Sequence, residues 1–127
     1  MTIAPPSAIT LTFPWLFKSK ANSYRIKRRK LVKDATVAEQ EATASAIATF
    51  VMGSQPPWNG PVAVTINVSM NDHRRRDIDG CLKSLLDSLN GIVWKDDNQI
   101  MELHVYKAQG CPQPITTITI SKLIFTV

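Results

Sequence analysis

What this chain lacks narrows its class first. It has two cysteines in 127 residues, Cys81 and Cys111, without metal-ligand spacing and without a histidine beside them. A disulfide-stapled scaffold and a cysteine-based zinc site are therefore not expected. A thiol nucleophile needs a neighbouring base; a helix-start position would lower the pKa of Cys81, but nothing nearby supplies that base. No apolar run approaches the roughly 20 residues of a membrane span. The opening Met-Thr-Ile-Ala-Pro-Pro has no basic stretch leading into an apolar one, so no secretory leader is expected and the location reads as cytoplasmic. Histidine is scarce as well: His73 and His104 stand alone, which suits solvated or hydrogen-bonded roles better than catalysis.

What is present is enough for one folded unit. A chain of 127 residues with 44% hydrophobic content can bury one core but has little room for a second, so residues 1–127 read as a single domain. The net charge of +5 inclines it toward polyanions. The distribution says more than the total. Eight of the 15 basic residues, namely Lys18, Lys20, Arg25, Lys27, Arg28, Arg29, Lys30 and Lys33, fall in one stretch that contains no acid. A charge run is commonly just a solvated face, yet one this one-sided repels itself. A phosphate backbone beside it would relieve the repulsion and release counterions. The segment 25–33 is read as a DNA-binding arm or loop.

Periodicity supplies the elements in order. Ile9, Leu11 and Phe13 alternate with threonines as a half-buried strand ended by Pro14. Trp15 and Phe17 in the following loop are read as a lid over the core, with stacking against opened bases as the alternative. A helix is expected from Asp34, a natural N-cap, to Met52, with Gly53 as its stop and Val37, Glu41, Ala44, Ala48 and Val51 along one face packing on a sheet. Val62, Val64, Ile66, Val68 and Met70 form the clearest strand. A second helix is expected from near Asp79 to Asn90-Gly91, carrying Leu82, Leu85, Leu86 and Leu89. Two more strands follow, over 99–107 and 116–127, and the apolar phase of the last slips between Ile120 and Leu123, suggesting a bulge. The order β-α-β-α-β-β makes an α+β domain, a small mixed sheet carrying two helices.

Where the clearest strand gives way to the second helix stands Arg74-Arg75-Arg76-Asp77-Ile78-Asp79, with Lys83 one turn later and Asp96-Asp97 beyond the helix. Carboxylates gathered this way suit Mg²⁺, which takes one or two acidic ligands and keeps several waters. Arginines meet phosphate oxygens in bidentate pairs. Together they point to metal-assisted phosphodiester chemistry. The plainer alternatives are an N-cap at Asp79, a polar turn at Asp96-Asp97-Asn98, and an i,i+4 ion pair of Lys83 with Asp79 or Asp87.

The run Asp72-His-Arg-Arg-Arg-Asp77-Ile-Asp79-Gly-Cys-Leu-Lys83, then Leu-Leu-Asp-Ser-Leu and Trp94-Lys-Asp96-Asp97-Asn-Gln-Ile, resembles the RusA family of Holliday junction resolvases. The match is dense from Val62 to Val105, with His73 where an arginine is common and Gly80 where Asn is usual. The resemblance implies a structure-selective endodeoxyribonuclease that resolves four-way DNA junctions by paired symmetric nicks. It implies Asp77, Asp79 and Asp97 as metal ligands, Lys83 as a catalytic cation, Mg²⁺ (with Mn²⁺ as a substitute) as cofactor, and a homodimer. No organic cofactor is expected. Phosphate contacts are expected from Arg74, Arg75, Arg76 and the basic stretch. A junction-binding protein that does not cut, and a partner-binding domain with a solvated charged face, remain alternatives. One geometric point bears on Asp97. A helix from Asp79 to Asn90 would carry the chain about 18 Å away at 1.5 Å per residue, leaving Gly91 to Lys95 a tight return of about 17 Å at full extension. Asp97 or Asp96 is therefore hypothesised to complete the partner's site.

Overall fold

The strand from Val62 to Ser69 is the axis of the molecule because its alternating apolar residues bury one whole face and it has a strand on either side. The computed structural model describes residues 7–20, 24–27 and 30–124, with backbone alone for 24–27 and 30–33. In it, Val62, Val64 and Ile66 are fully buried and Val68 nearly so, while the alternate residues face the other way. We number the strands β1 (Ala8–Phe13), β2 (Tyr24–Lys27), β3 (Lys30–Lys33), β4 (Val62–Ser69), β5 (Ile100–Ala108) and β6 (Ile115–Lys122). The main sheet runs β1-β6-β4-β5. Its β1/β6 and β6/β4 pairs are antiparallel, and β4/β5 is parallel. Ile66 lies between Ile118 and Val105, and Val64 between Ile120 and Leu103. A parallel pair requires a crossover connection, and the second helix provides it.

Helix α1 (Ala35–Met52) starts where Asp34 accepts hydrogen bonds from the Thr36 and Val37 amides at 2.9 and 3.3 Å. It stops at Gly53, whose φ of 59° is open to a residue without Cβ. Its buried face is Val37, Ala44, Ala48 and Met52. Val51, expected on that face, is 41% exposed. Burial follows the four-residue spacing Ala44, Ala48, Met52, so Met52 takes the inward place. Besides lying on β1, the helix packs closely on α2 (Leu82–Leu89). Small residues permit this approach: the Ser45 hydroxyl donates to the Ser88 carbonyl at 2.7 Å and the Ser84 hydroxyl to Glu41 at 3.4 Å.

The expected element order is present, as a single small α+β domain with two helices on a mixed four-stranded sheet. Three details differ. The basic segment read as an arm or loop folds its backbone into the β2/β3 hairpin, with Tyr24 opposite Lys33 and Lys27 opposite Lys30; Arg28 and Arg29 lie outside the described residues. The alternation in Tyr-Arg-Ile-Lys and Lys-Leu-Val-Lys suits strands, but dense charge hides it. Helix α2 begins at Leu82 rather than near Asp79, so Asp79 is not its N-cap. Residues 78–81 instead form a turn, in which the Gly80 amide donates to the Asp77 carbonyl (3.1 Å) and the Leu82 amide to the Asp79 carbonyl (3.2 Å). Finally, β6 keeps unbroken register with both neighbours and ends at Lys122, so the phase slip near Leu123 falls past the strand end rather than at a bulge.

The aromatic loop after β1 is the lid it was read to be. Phe17 is buried, Trp15 is partly buried, and the Phe13, Trp15 and Phe17 rings lie 5.3–5.4 Å apart between centroids. Leu85, like Leu89, is a fully buried anchor of α2 against this core; Leu85 serves as the test. Replacing it by alanine should cost about 2–5 kcal/mol of unfolding free energy, the range for deleting a buried leucine side chain. Urea denaturation of Leu85→Ala measures it, and α2 would not be held by core packing if the loss were under about 1 kcal/mol.

Candidate active site

The loop leaving β4 is tied down at many points, which is why it can present charged groups in a fixed arrangement. The Met70 amide donates to the Ala108 carbonyl and the Cys111 amide to the Met70 carbonyl, both at 2.8 Å. Lys107 Nζ donates to the Arg76 carbonyl at 2.7 Å, and the Gln109 side-chain amide to the Arg74 carbonyl at 3.2 Å. Inside the loop, Arg76 grips Asp72 through two parallel hydrogen bonds of 2.6 and 3.1 Å, and the Arg74 amide adds a third at 3.1 Å. The Arg76 guanidinium holds the Asp72 carboxyl below its ordinary value. Gly110, at φ 67°, lies against His73: a Cβ there would come within 2.9 Å of the imidazole.

Beyond this strapped loop, Asp77 and Asp79 open onto a cleft of about 620 Å³ lined also by Ser19, Lys20, Gly80, Lys83 and Asp87. Both carboxylates are exposed. Opposite them Asp87 binds two lysines, Lys20 Nζ at 2.8 Å through Oδ2 and Lys83 Nζ at 3.2 Å through Oδ1. Lys20 also reaches Glu41 of α1 at 3.0 Å. Burial pulls the Lys20 ammonium toward neutrality, but Asp87 and Glu41 outweigh it and hold its pKa above the usual lysine value. In Asp87, burial pushes the carboxyl up and the two lysines bring it below its usual value. A second cavity of about 410 Å³ shares Ser19, Asp77 and Gly80 with the first and has apolar walls including Phe17, Met70 and Ile78.

The Asp96-Asp97 turn is built differently. Trp94 is fully buried, with its indole N–H donating to the Asn90 side chain at 2.7 Å. Asp96 caps a single 3-10 turn, Asp97–Gln99, by accepting from the Asn98 amide at 3.1 Å. Gln99 accepts from the Lys95 and Asp96 amides and donates to the Trp58 and Gly60 carbonyls. Asp96 is thus used in holding the turn, and Asp97 is the half-buried neighbour that the turn positions. Burial and the adjoining Asp96 push the Asp97 carboxyl above its ordinary value; Asp87 adds to this and Lys83 opposes it. Those couplings put Asp97 at the same end of the molecule as Lys83 and Asp87 of its own chain. Because α2 has eight residues rather than twelve, it advances about 12 Å instead of about 18 Å. The distance argument for lending Asp97 to a partner lapses with it.

The structure therefore brings Asp77, Asp79 and Lys83 together on one cleft, with Asp97 within electrostatic reach rather than in the lining. Arg74 and Arg75 are exposed on the loop, and Arg76 is engaged by Asp72. Lys18 bridges to the helix-capping Asp34 at 3.0 Å with its side chain half exposed. Lys20 is enclosed in its double ion pair. For Arg25, Lys27 and Lys30 the backbone alone is described, in the hairpin. Sequence reading passed over Asp87 as a site residue and weighed it only as a partner of Lys83, which it is. Burial pushes the Cys81 thiol up, opposite to the lowering expected from a helix start, because the thiol is buried.

Among the described residues no three His, Cys, Asp or Glu side chains lie close enough to make a metal cage. Two exposed carboxylates on an open cleft, with oxygen donors only, fit instead a hard cation that keeps most of its waters. Among the described residues no helix is long and apolar enough to cross a membrane.

Comparison with known proteins agrees with this geometry. The family model for endodeoxyribonuclease RusA matches residues 15–121. The crossover junction endodeoxyribonuclease RusA of Enterobacteria phage 82 is 30% identical over 100 residues, covering 76% of this chain and 80% of that protein. The matched span takes in the lid, both helices, the loop with Asp77 and Asp79, and the turn with Asp97. This chain belongs to the RusA endodeoxyribonuclease family.

The Asp72–Arg76 clamp gives a pH test of the loop. A carboxyl whose folded pKa lies below its unfolded value of 3.8 stabilises the fold above that value, and the contribution is lost as pH falls through the lower folded pKa. The stability gap between wild type and Asp72→Asn should be constant above about pH 5 and close on acidification. Denaturant titrations at stepped pH measure it; a gap that stays constant down to pH 2, on the order of two units below the unfolded pKa, would mean the clamp is absent in solution.

Proposed function

We propose that this chain carries out its family's reaction, the endonucleolytic resolution of four-way (Holliday) DNA junctions, at the cleft bounded by Asp77, Asp79 and Lys83. The observation that carries the reading is the convergence of two exposed carboxylates and a lysine on one open cleft at the end of a rigidly strapped loop. Asp77 and Asp79 would hold Mg²⁺, or Mn²⁺ in its place, with Asp97 contributing from the neighbouring turn. Bound there, the ion would activate a coordinated water and offset charge on the phosphate oxygens. Lys83, 70% exposed at the cleft and paired with Asp87, would offer its ammonium to a non-bridging oxygen of the scissile phosphate. Lys18, Arg74, Arg75, the hairpin residues Arg25, Lys27 and Lys30, and Arg28 and Arg29 of the same basic segment grip the flanking backbone, and Arg76 shapes the loop through Asp72. Resolution needs two nicks in strands of like polarity, and a C₂ homodimer would supply two sites with the symmetry of the junction. A reaction on DNA fits a cytoplasmic location.

Asp77→Asn and Asp79→Asn should each abolish cutting of a labelled junction in Mg²⁺ while leaving binding equal or tighter. The amide keeps the shape and removes a charge that both ligates metal and repels phosphate. Wild-type cutting by Asp79→Asn would remove that residue from the metal site.

Grip separates from chemistry by salt. Neutralising Lys27, Arg28 and Arg29 together should weaken binding to unrelated DNA sequences alike and flatten log K against log salt by roughly one unit of slope per lost phosphate contact. An unchanged slope would show that these side chains do not meet the backbone.

A further inference from the structure

Lys20 belongs by sequence to the basic stretch, but its surroundings are not those of a DNA-gripping side chain. Its side chain is 14% exposed, against 70% for Lys83, and its ammonium sits between two carboxylates, Asp87 at 2.8 Å and Glu41 at 3.0 Å. Asp87 in turn divides its oxygens, Oδ2 to Lys20 and Oδ1 to Lys83. We propose that Lys20 is a positioning residue for DNA cleavage: acting through Asp87, it fixes the Lys83 ammonium at the mouth of the Asp77/Asp79 cleft. This rests on the reading of Lys83 as the phosphate-facing cation.

Two physical points support the relay. An exposed lysine has four rotatable side-chain bonds, and an isolated i,i+4 pair on a helix surface offsets little of that freedom. A carboxylate that is itself immobilised is a better anchor, because the cost of ordering it is already met by Lys20 and Glu41. Charge is the second point. Asp87 lines the same cleft as Asp77 and Asp79. Lys20 offsets its charge, which would otherwise repel the phosphate beside Lys83. Lys20 also joins three separate parts of the chain, the lid segment after β1, Glu41 on α1 and Asp87 on α2, at a point beside the metal-holding carboxylates.

The test is single-turnover cutting of a labelled four-way junction at saturating enzyme and Mg²⁺, with junction affinity and its salt dependence measured alongside. Lys20→Met should lower the cleavage rate constant roughly ten- to a hundredfold, the range for residues that orient a reacting group. Affinity and salt slope should stay at wild-type values, and Lys20→Arg should recover most of the rate. The double variant Lys20→Met/Lys83→Met should be no slower than Lys83→Met alone. Asp87→Asn should reproduce the Lys20→Met defect, and it serves as the second probe if Lys20→Met does not fold. Wild-type cutting by Lys20→Met, a loss of affinity with a flatter salt slope, or additive losses in the double variant would each overturn the proposal. If Lys83→Met itself cuts at the wild-type rate, it is the assignment of Lys83 that fails; a slow Lys83→Met beside a fast Lys20→Met overturns the relay alone.

Discussion

Acidic side chains collected on one open cleft are the constraint around which this molecule is arranged. Asp77, Asp79, Asp87 and Asp97 gather at one end of a chain whose net charge is +5. Bringing carboxylates together raises their electrostatic energy, most where water is partly excluded. Two devices oppose this. Lysines 20 and 83 neutralise Asp87 directly. Elsewhere the backbone is pinned: the loop that carries Asp77 and Asp79 by Arg76–Asp72, Lys107 and Gln109, the turn that carries Asp97 by Asp96, Gln99 and Trp94. The Asp77 and Asp79 carboxylates are left exposed on the cleft, where a divalent cation would offset their charge.

The sheet makes that arrangement possible. Strand β4, buried along one face between β6 and β5, ends where the acidic loop begins, and parallel β5 begins just after the Asp97 turn. The helix crossing between them carries Lys83 and Asp87. Three site segments therefore hang from two adjacent strands and their crossover, and the buried stripe of α2, Leu85 and Leu89, sets how that crossover lies on the core.

Where packing and periodicity act together, sequence was sufficient. The alternation of Val62, Val64, Ile66 and Val68 and the capping pair Asp34 and Gly53 told their elements correctly, because each reflects a local rule that the core reinforces. Val51 escaped because the inward places on α1 follow the four-residue spacing of Ala44, Ala48 and Met52, and the hairpin strands because dense charge hides their alternation. The start of α2 was placed too early since Asp79, a good cap by type, is held in a turn instead. The same misplacement lengthened the helix in the distance estimate that moved Asp97 to a partner. That Asp77, Asp79 and Lys83 share one cleft was legible from spacing and from the family resemblance. The pairing of Arg76 with Asp72, of Lys20 with Asp87 and Glu41, and the capping use of Asp96 were not, because no spacing rule distinguishes a charge that meets solvent from one that meets a partner across the fold.

The central claim is that the Asp77/Asp79 cleft becomes a junction-cutting centre when a divalent cation occupies it. Titrating Mg²⁺ into the protein with a synthetic four-way junction labelled on each strand tests this most directly. The account predicts an intact bound junction in chelator and, as Mg²⁺ rises, paired nicks placed symmetrically in two strands of like polarity. Cutting that persists in chelator, or a junction that stays whole at saturating Mg²⁺ and Mn²⁺, would contradict it.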